Sequence, residues 1–109
     1  MAGRIERGQI RLVRFPAPDK PRPVVVLTRG SAIDYLSRVT VAPISSTIRD
    51  VPSEVLVGVD DGLKQPSAVN LHNVVTVEKA VIGRRVAQLG DDKMRDVCRA
   101  LGFALGCDG

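Results

Sequence analysis

Short apolar runs, each closed by glycine, proline or acidic residues, follow one another along most of the chain. Alternating and β-branched residues in these runs predict five or six short strands, over 9–15, 24–28, 39–44, 54–57, 67–77 and 84–89. The alternation of the first run breaks at Val13, which indicates burial on both faces there. Pro43 is expected at a sheet edge or a bulge, because proline cannot donate a hydrogen bond to a neighbouring strand.

One longer element is predicted near the C-terminus, where apolar residues recur at three- and four-residue spacing. They are Met94, Val97, Cys98, Leu101 and Leu105. Asp91 and Asp92 favour the start of a helix at this point, and Gly106 is placed to end it. Minor helical turns are expected over 32–36, with Ser31 as the N-cap, and over 78–80.

These elements predict a mainly β protein with one amphipathic C-terminal helix. The 109 residues fit a single domain over 1–109 and exclude a two-domain enzyme with a separate cofactor module. Short strands with frequent glycine and proline favour a small, strongly bent antiparallel sheet or a partly open barrel. No apolar run has membrane-spanning length and no signal-peptide pattern is present, so we expect a cytoplasmic protein that does not bind membranes.

Basic residues are concentrated in the N-terminal half of the chain. The whole chain has 16 Lys and Arg against 12 Asp and Glu, and residues 1–49 hold nine of the basic residues but three of the acidic ones. A basic face dominated by arginine is typical of a surface that binds a polyanion, and it is equally compatible with an ordinary solvated surface.

The residue types that hold metals and cofactors are scarce. His72 is the single histidine, and the two cysteines, Cys98 and Cys107, lack the spacing of a zinc site or a disulfide framework. The sequence also lacks a glycine-rich phosphate loop. Asp60 and Asp61 fit a solvated turn better than a magnesium site. We therefore expect no metal and no cofactor.

Two short segments carry groups that could act on a phosphate. Arg22 stands between Pro21 and Pro23 at the start of the valine-rich strand, so its backbone is held extended. A guanidinium mounted in this way can grip a phosphate in one geometry. Three hydroxyls, Ser45, Ser46 and Thr47, follow the next strand, although such residues are equally common as plain turn formers.

The order of four segments resembles MazF/PemK-type toxins, most closely those of the actinobacterial branch. The segments are RGQI at 7–10, RPVVVL at 22–27, VAPISSTIR at 41–49 and GLKQPSAV at 62–69, and with the C-terminal helix they extend the resemblance from Arg7 to Cys107. The resemblance implies a small SH3-like barrel that acts as a homodimer. It also implies a ribosome-independent, metal-independent endoribonuclease that cuts single-stranded RNA at short sequences and is neutralised by an antitoxin whose C-terminal tail covers the RNA groove.

The family's site residues fall on named positions of this chain. The resemblance implies that Arg22, in the Arg-Pro-Val motif, is the catalytic arginine and that Ser45 takes the place of the usual catalytic threonine. Serine keeps the hydroxyl but loses the methyl group that restricts χ1, so Ser46 and Thr47 remain alternatives. His72 stands where relatives often have an acidic residue. Histidine suits proton transfer near neutral pH, which makes this residue a candidate proton shuttle alongside a structural role.

The chemistry that this implies needs no inorganic partner, because RNA supplies its own nucleophile, the 2′-hydroxyl. Arg22 would stabilise the charged phosphorane and Ser45 would donate a hydrogen bond to it, leaving a 2′,3′-cyclic phosphate and a 5′-hydroxyl. Aromatic residues are too few for a stacking platform, so cations are expected to bind the RNA. The candidates are Arg14, Lys20, Arg29 and Arg49. Two other interpretations are a non-catalytic toxin of the gyrase-poison type and an SH3-like RNA-binding module.

Overall fold

The computed structural model describes residues 3–14 and 20–107, and seven strands and two α-helices make up its regular structure. The strands are β1 (Gln9–Val13), β2 (Arg22–Val26), β3 (Arg38–Ser45), β4 (Glu54–Val57), β5 (Ser67–Asn70), β6 (Val75–Glu78) and β7 (Ile82–Gln88). The helices are α1 (Gly30–Ile33) and α2 (Asp91–Leu105). The mainly β fold with a C-terminal helix is therefore confirmed. Phe15, predicted as the end of the first strand, lies outside the described residues.

All strand pairs are antiparallel, and the sheet runs in the order β4-β5-β3-β2-β1-β7, with β6 also paired to β3. Among the described residues β4 and β7 form the two ends and do not pair, so the barrel is open. The loop after β4 packs across this gap, because a Cβ atom placed on Gly62 would lie 2.7 Å from the Cβ atom of Ala87 in β7. Side-chain packing thus replaces strand pairing there.

The long strand β3 shows why the prediction for Pro43 was wrong. Pro43 lies inside the sheet, where β3 is paired with β2 on one side and with β6 and then β5 on the other. The backbone oxygen of Thr40 accepts from Leu27 in the chain leaving β2, so Pro43, an odd number of residues further on, turns its nitrogen to the opposite side. On that side β6 pairs as far as Val41 and β5 begins at Ile44, so no hydrogen bond is lost.

The sheet has an apolar cluster on each face. Ile10, Val25 and Val69 pack with Met94 and Val97 of α2 on one face. The other face holds a second cluster, made by Val13, Val24, Val26, Ile33, Val39, Val41 and Ile82. Because neighbouring valines of β2 enter different clusters, this strand is buried on both faces, and so is most of β1. Burial on both faces explains the unbroken apolar run in the sequence.

The second cluster also borders a buried arginine. Arg11 is 1% exposed, and its guanidinium donates to the backbone oxygen of Gly83 at 2.7 Å and to Oε1 of Gln9 at 2.7 Å. It also donates to the backbone oxygen of Arg4 at 3.2 Å, which ties the N-terminal segment to the sheet. Burial, and to a smaller degree the nearby charge of Arg85, lowers the pKa of Arg11 from its ordinary value. Arg11 is one of the nine basic residues of the N-terminal half that were interpreted as a basic face, and for this residue that interpretation is wrong.

The buried face of α2 differs from the predicted stripe. Met94, Val97 and Ala100 are buried, whereas Cys98 is exposed and Leu105 is 63% exposed. Gly106 ends the helix in the left-handed conformation, as predicted. The aspartates predicted to cap the helix lie inside its first turn, and Gly90 holds the N-cap position without a side-chain bond.

Two other predicted elements have different bounds. The run over 67–77 is two strands, because a turn of 3-10 helix over Leu71–Asn73 separates β5 from β6 and the side chain of Asn70 caps that turn. The helical turn predicted over 32–36 is α1, which begins earlier, so Ser31 lies inside it and Arg29 is the N-cap. No helix in the described ranges is long and apolar enough to cross a membrane.

Candidate active site

An open cavity of about 400 Å³ lies where β2 begins and β3 ends. Its walls come from these two strands, from the turn after β3 and from the loop after Gly62. The lining residues are Arg22, Pro23, Ile44, Ser45, Ser46, Thr47, Leu63, Lys64, Gln65 and Ser67. The cavity therefore brings together the arginine and all three hydroxyls that the sequence singled out.

The register of β2 and β3 brings Arg22 and Ser45 to the same end of the two strands. The last pair of this register is Val24 with Pro43, and each of the two residues lies two positions beyond it on its own strand. Beyond that point Arg22 pairs with Val13 of β1, and Ser45 pairs with Ala68 of β5. Both residues line the same cavity.

The hydroxyl of Ser45 also shapes the turn that follows it. Its Oγ accepts a hydrogen bond from the backbone nitrogen of Thr47 at 3.0 Å. A hydroxyl that accepts in this way keeps its own proton for donation. Ser45 is half-buried, while Ser46 and Thr47 are exposed at the cavity rim. Of the three hydroxyls, Ser45 is the one that lies on a strand and is half-buried in the cavity that Arg22 also lines.

Three polar lining residues were missed as site residues in the sequence. Lys64 and Gln65 follow the left-handed Gly62, and the third, Ser67, donates its hydroxyl to the backbone oxygen of Gln65 at 3.2 Å. The segment contributed to the family resemblance, but nothing in its local pattern shows that it meets Arg22. The signal that could have drawn attention to it is an exposed lysine beside Pro66 in a glycine-led loop.

The charge of the cavity suits an anion. Arg22 and Lys64 are its two cations, and none of the described residues that line it is acidic. A phosphodiester placed here would meet a guanidinium, an ammonium group and several hydroxyl donors. The carboxylates nearest in sequence, Asp60 and Asp61, belong to the turn before Gly62, and Asp61 accepts from the backbone nitrogen of Gly58.

None of the four cations predicted to bind RNA lines this cavity. Arg14 follows β1 and Lys20 precedes β2, and both are exposed. Arg49 is exposed in the loop between β3 and β4. Arg29, at the N-cap of α1, lines a separate cavity with Arg7 and Leu27.

The structure places His72 outside the cavity as well. It lies in the turn between β5 and β6, and its Nδ1 is 2.5 Å from Oγ of Ser53. Its backbone nitrogen donates to the side chain of Asn70. The imidazole of His72 therefore has a hydrogen-bond partner in the chain, the hydroxyl of Ser53. No group of three or more His, Cys, Asp or Glu side chains that could hold a metal occurs within 3–14 and 20–107.

Comparison with known proteins shows the family to which the chain belongs. The sequence model of PemK-like, MazF-like toxins of type II toxin–antitoxin systems matches residues 6–105, a span that includes every residue lining the cavity. The chain belongs to this family. The MazF-like identity predicted from the four sequence segments is therefore confirmed.

Relatives of this MazF-like chain are found among mycobacterial toxins. The protein named probable endoribonuclease MazF5 from Mycobacterium tuberculosis is 46% identical over 87 residues, which are 79% of this chain and 80% of the relative. The solved structure of the Mycobacterium tuberculosis toxin MazF-mt6 matches with a TM-score of 0.84 at 36% identity, over 93% of this chain and 99% of that one.

A third MazF-like protein supports the fold. It is a mycobacterial endoribonuclease solved in complex with its cognate antitoxin, with a TM-score of 0.85 over 94% of this chain and 96% of that one. At 23% identity this likeness concerns the fold alone. The family match and the relatives named endoribonuclease support the toxin endoribonuclease interpretation over the gyrase-poison and binding-module alternatives.

Proposed function

We propose that this MazF-like chain is a sequence-specific, metal-independent endoribonuclease that cuts single-stranded RNA as the toxin of a toxin–antitoxin pair. The observation that carries the proposal is that Arg22 and Ser45, on adjacent strands, line one cavity with two cations and no described carboxylate. Family membership and the endoribonuclease names of relatives support the same activity.

In the proposed reaction the RNA supplies the nucleophile. The 2′-oxygen attacks the adjacent phosphorus, the bond from phosphorus to the 5′-oxygen breaks, and the products are a 2′,3′-cyclic phosphate and a free 5′-hydroxyl. The 2′-hydroxyl loses one proton and the 5′-oxygen gains one, so no proton is consumed overall. Arg22 stabilises the charge that gathers on the phosphorane oxygens, and Ser45 donates a hydrogen bond to one of them. Each such oriented donor lowers the barrier by about 3 kcal/mol.

Lys64 adds a second positive charge to the lining of the cavity. We assign it to electrostatic binding of the scissile phosphate, because an ammonium group acts as a point charge and lacks the planar fork of Arg22. Arg14, Lys20, Arg29 and Arg49 are proposed to bind neighbouring phosphates and base edges along the strand. Their exposure leaves their side chains accessible to a ligand of that length.

The proposed partners follow from the same cavity. An antitoxin tail that carries carboxylates would neutralise Arg22 and Lys64 and exclude RNA. We also propose a homodimer, since a chain of this size supports a small core and pairing would bury further apolar surface. Light scattering of the purified protein measures this directly. Messenger RNA as substrate implies that the toxin acts in the cytoplasm.

The proposal is tested with purified protein, a long transcript and excess EDTA, followed by mapping of the cut ends. Defined fragments with cyclic phosphate and 5′-hydroxyl ends are expected. A matched oligonucleotide with one 2′-deoxy sugar at the scissile nucleotide should stay intact, because it lacks the nucleophile. Cleavage of the deoxy oligonucleotide would contradict the mechanism, and a transcript that is bound but never cut would support the binding module instead.

A further inference from the structure

The loop between β3 and β4 follows Ser45 and carries Ser46, Thr47 and then Arg49. Its first part is fixed by the bond from the backbone nitrogen of Thr47 to Oγ of Ser45. Its second part contains Asp50, whose φ of 58° makes it the one non-glycine residue with a left-handed backbone among the described residues. An aspartate adopts this conformation less readily than glycine, so the surrounding structure must hold it there.

The carboxylate of Glu54 holds the backbone around Asp50 in this conformation. Its Oε1 accepts from the backbone nitrogen of Arg49 at 3.0 Å and from that of Asp50 at 2.8 Å. Bonds from amides to a carboxylate are charge-assisted and therefore stronger than those between neutral groups. Two consecutive amides aimed at one oxygen fix the backbone on both sides of the left-handed residue.

The carboxylate is itself anchored on the sheet. Glu54 is the first residue of β4, where it pairs with Asn70 of β5, and its backbone nitrogen donates to the backbone oxygen of Val51 at 3.0 Å. It lines a different cavity, between β4 and α2, and does not line the one that contains Arg22. Its position excludes direct contact with the phosphate that the catalytic cavity would hold.

We propose that Glu54 is a positioning residue for RNA cleavage, which acts by holding the β3–β4 loop so that the backbone nitrogen of Thr47 orients the Ser45 hydroxyl. The role rests on the proposed endoribonuclease function. The loop is fastened at Ser45 on one side and at Glu54 on the other, so loss of the Glu54 contacts frees the segment that contains the Thr47 amide. A Ser45 hydroxyl that is no longer oriented meets the transition state less often, and the turnover number falls while the folded sheet remains.

Three variants test the role, with Glu78→Ala as the matched control. Glu78 is an exposed glutamate on β6 that pairs with Arg38 and does not line the cavity. Glu54→Ala should lower kcat roughly tenfold to a hundredfold, with KM little changed and the melting temperature close to that of the control. Glu54→Gln should keep most of the activity, because its amide oxygen still accepts from both backbone nitrogens. Adding Asp50→Gly to Glu54→Ala should restore part of kcat, because glycine adopts positive φ without strain.

Amide hydrogen exchange at Arg49 and Asp50 reports on the loop independently of catalysis. Faster exchange in Glu54→Ala, with wild-type exchange in Glu54→Gln, supports the role. The proposal is overturned if Glu54→Ala keeps wild-type kcat, if Glu54→Gln is as impaired as Glu54→Ala, or if exchange at the two amides does not change. Should Glu54→Ala fail to fold, the Gln variant and its exchange decide the matter. Absence of RNA cleavage by the wild type would instead contradict the proposed function, while the exchange still shows whether Glu54 holds the loop.

Discussion

Arg22 and Ser45 lie on adjacent antiparallel strands, each two residues beyond the last pair of the register, Val24 with Pro43, and both line one cavity. The relationship depends on the sheet register, since a shift by one residue would carry one of the two side chains to the other face. Val24 and Val25 pack in different apolar clusters, so core packing on both faces holds the strand that carries Arg22.

Replacing Arg22 by glutamine tests the guanidinium. We expect Arg22→Gln to lower kcat/KM by at least a hundredfold, because an oriented charged donor lowers the barrier by about 3 kcal/mol. The thermal melt should change little, since Arg22 is exposed at the start of β2. Arg84→Gln, at an exposed arginine of β7 away from the cavity, is the matched control and should cut RNA at the wild-type rate. Equal losses in the two variants would show a general charge effect.

Single substitutions of Ser45, Ser46 and Thr47 identify which hydroxyl donates a hydrogen bond to the phosphorane. Ser45→Ala should lower kcat about tenfold to a hundredfold, because it removes both the donor to the phosphorane and the acceptor for the Thr47 amide. Ser45→Thr should keep the activity within a few-fold, since both functions survive. Ser46→Ala and Thr47→Ala are measured in the same cleavage assay, and a larger loss in either of them would transfer the role from Ser45.

The parts of this fold that a sequence can predict are those encoded by local pattern. The valine run of β2 is recognisable because both its faces are buried, and α2 is recognisable from the spacing of Met94 and Val97. The exposure of Cys98 and Leu105 depends on where the sheet under the helix ends, which no helix pattern contains. Pro43 was misplaced for a similar reason, since its setting depends on where β6 stops and β5 starts.

The candidate site also contains residues that the sequence predicts and residues that it does not. Arg22 lies between two prolines, and Ser45, Ser46 and Thr47 are consecutive, so both features are recognisable from the amino-acid sequence alone. Lys64 and Gln65 enter the cavity because the Gly62 turn packs on Ala87, a contact between distant parts of the chain. Arg11 looked like one more surface cation, because the backbone oxygens that accept from it become neighbours when the barrel forms.

His72 is expected to be dispensable for cleavage. It does not line the cavity, and its Nδ1 is engaged with Ser53. His72→Gln should keep kcat within about twofold of the wild type, and the pH–rate profiles of the two proteins between about pH 5 and 8 should superpose, because the imidazole lies outside the cavity. A profile whose inflection disappears in His72→Gln would restore the proton-shuttle hypothesis.

Arg11 is expected to act on stability rather than on RNA binding. Arg11→Met keeps much of the side-chain volume but removes the donor to the backbone oxygen of Gly83 and one of the two donors to Oε1 of Gln9, which still accepts from the backbone nitrogen of Glu6. Loss of a buried acceptor's donor costs about 1–3 kcal/mol, so the free energy of unfolding should fall by about 2 kcal/mol. Urea denaturation measures this, with Arg84→Met as the exposed control. A loss confined to RNA affinity, at unchanged stability, would show that Arg11 reaches the substrate.

Gly62 tests whether packing between the loop after β4 and β7 holds the cavity together. Gly62→Ala meets two penalties, a left-handed φ of 93° and a Cβ atom 2.7 Å from that of Ala87. Gly106→Ala is a control that meets only the first penalty, because its φ is 74° and nothing lies within 4 Å of the added carbon. We expect a loss of about 1 kcal/mol at Gly106 and about 2–4 kcal/mol at Gly62, since overpacking adds its own 1–3 kcal/mol.

The Gly62 variant should also lose activity, because Leu63, Lys64 and Gln65 line the cavity and move with the displaced turn. RNA cleavage measured well below both melting temperatures separates this effect from unfolding, and Gly106→Ala should cut at the wild-type rate because α2 ends away from the cavity. Equal stability losses in the two variants would mean that the turn yields easily and that β7 does not support it. In that event Lys64 would be free to move independently of the barrel, and its proposed role beside Arg22 in the cavity would have no structural basis.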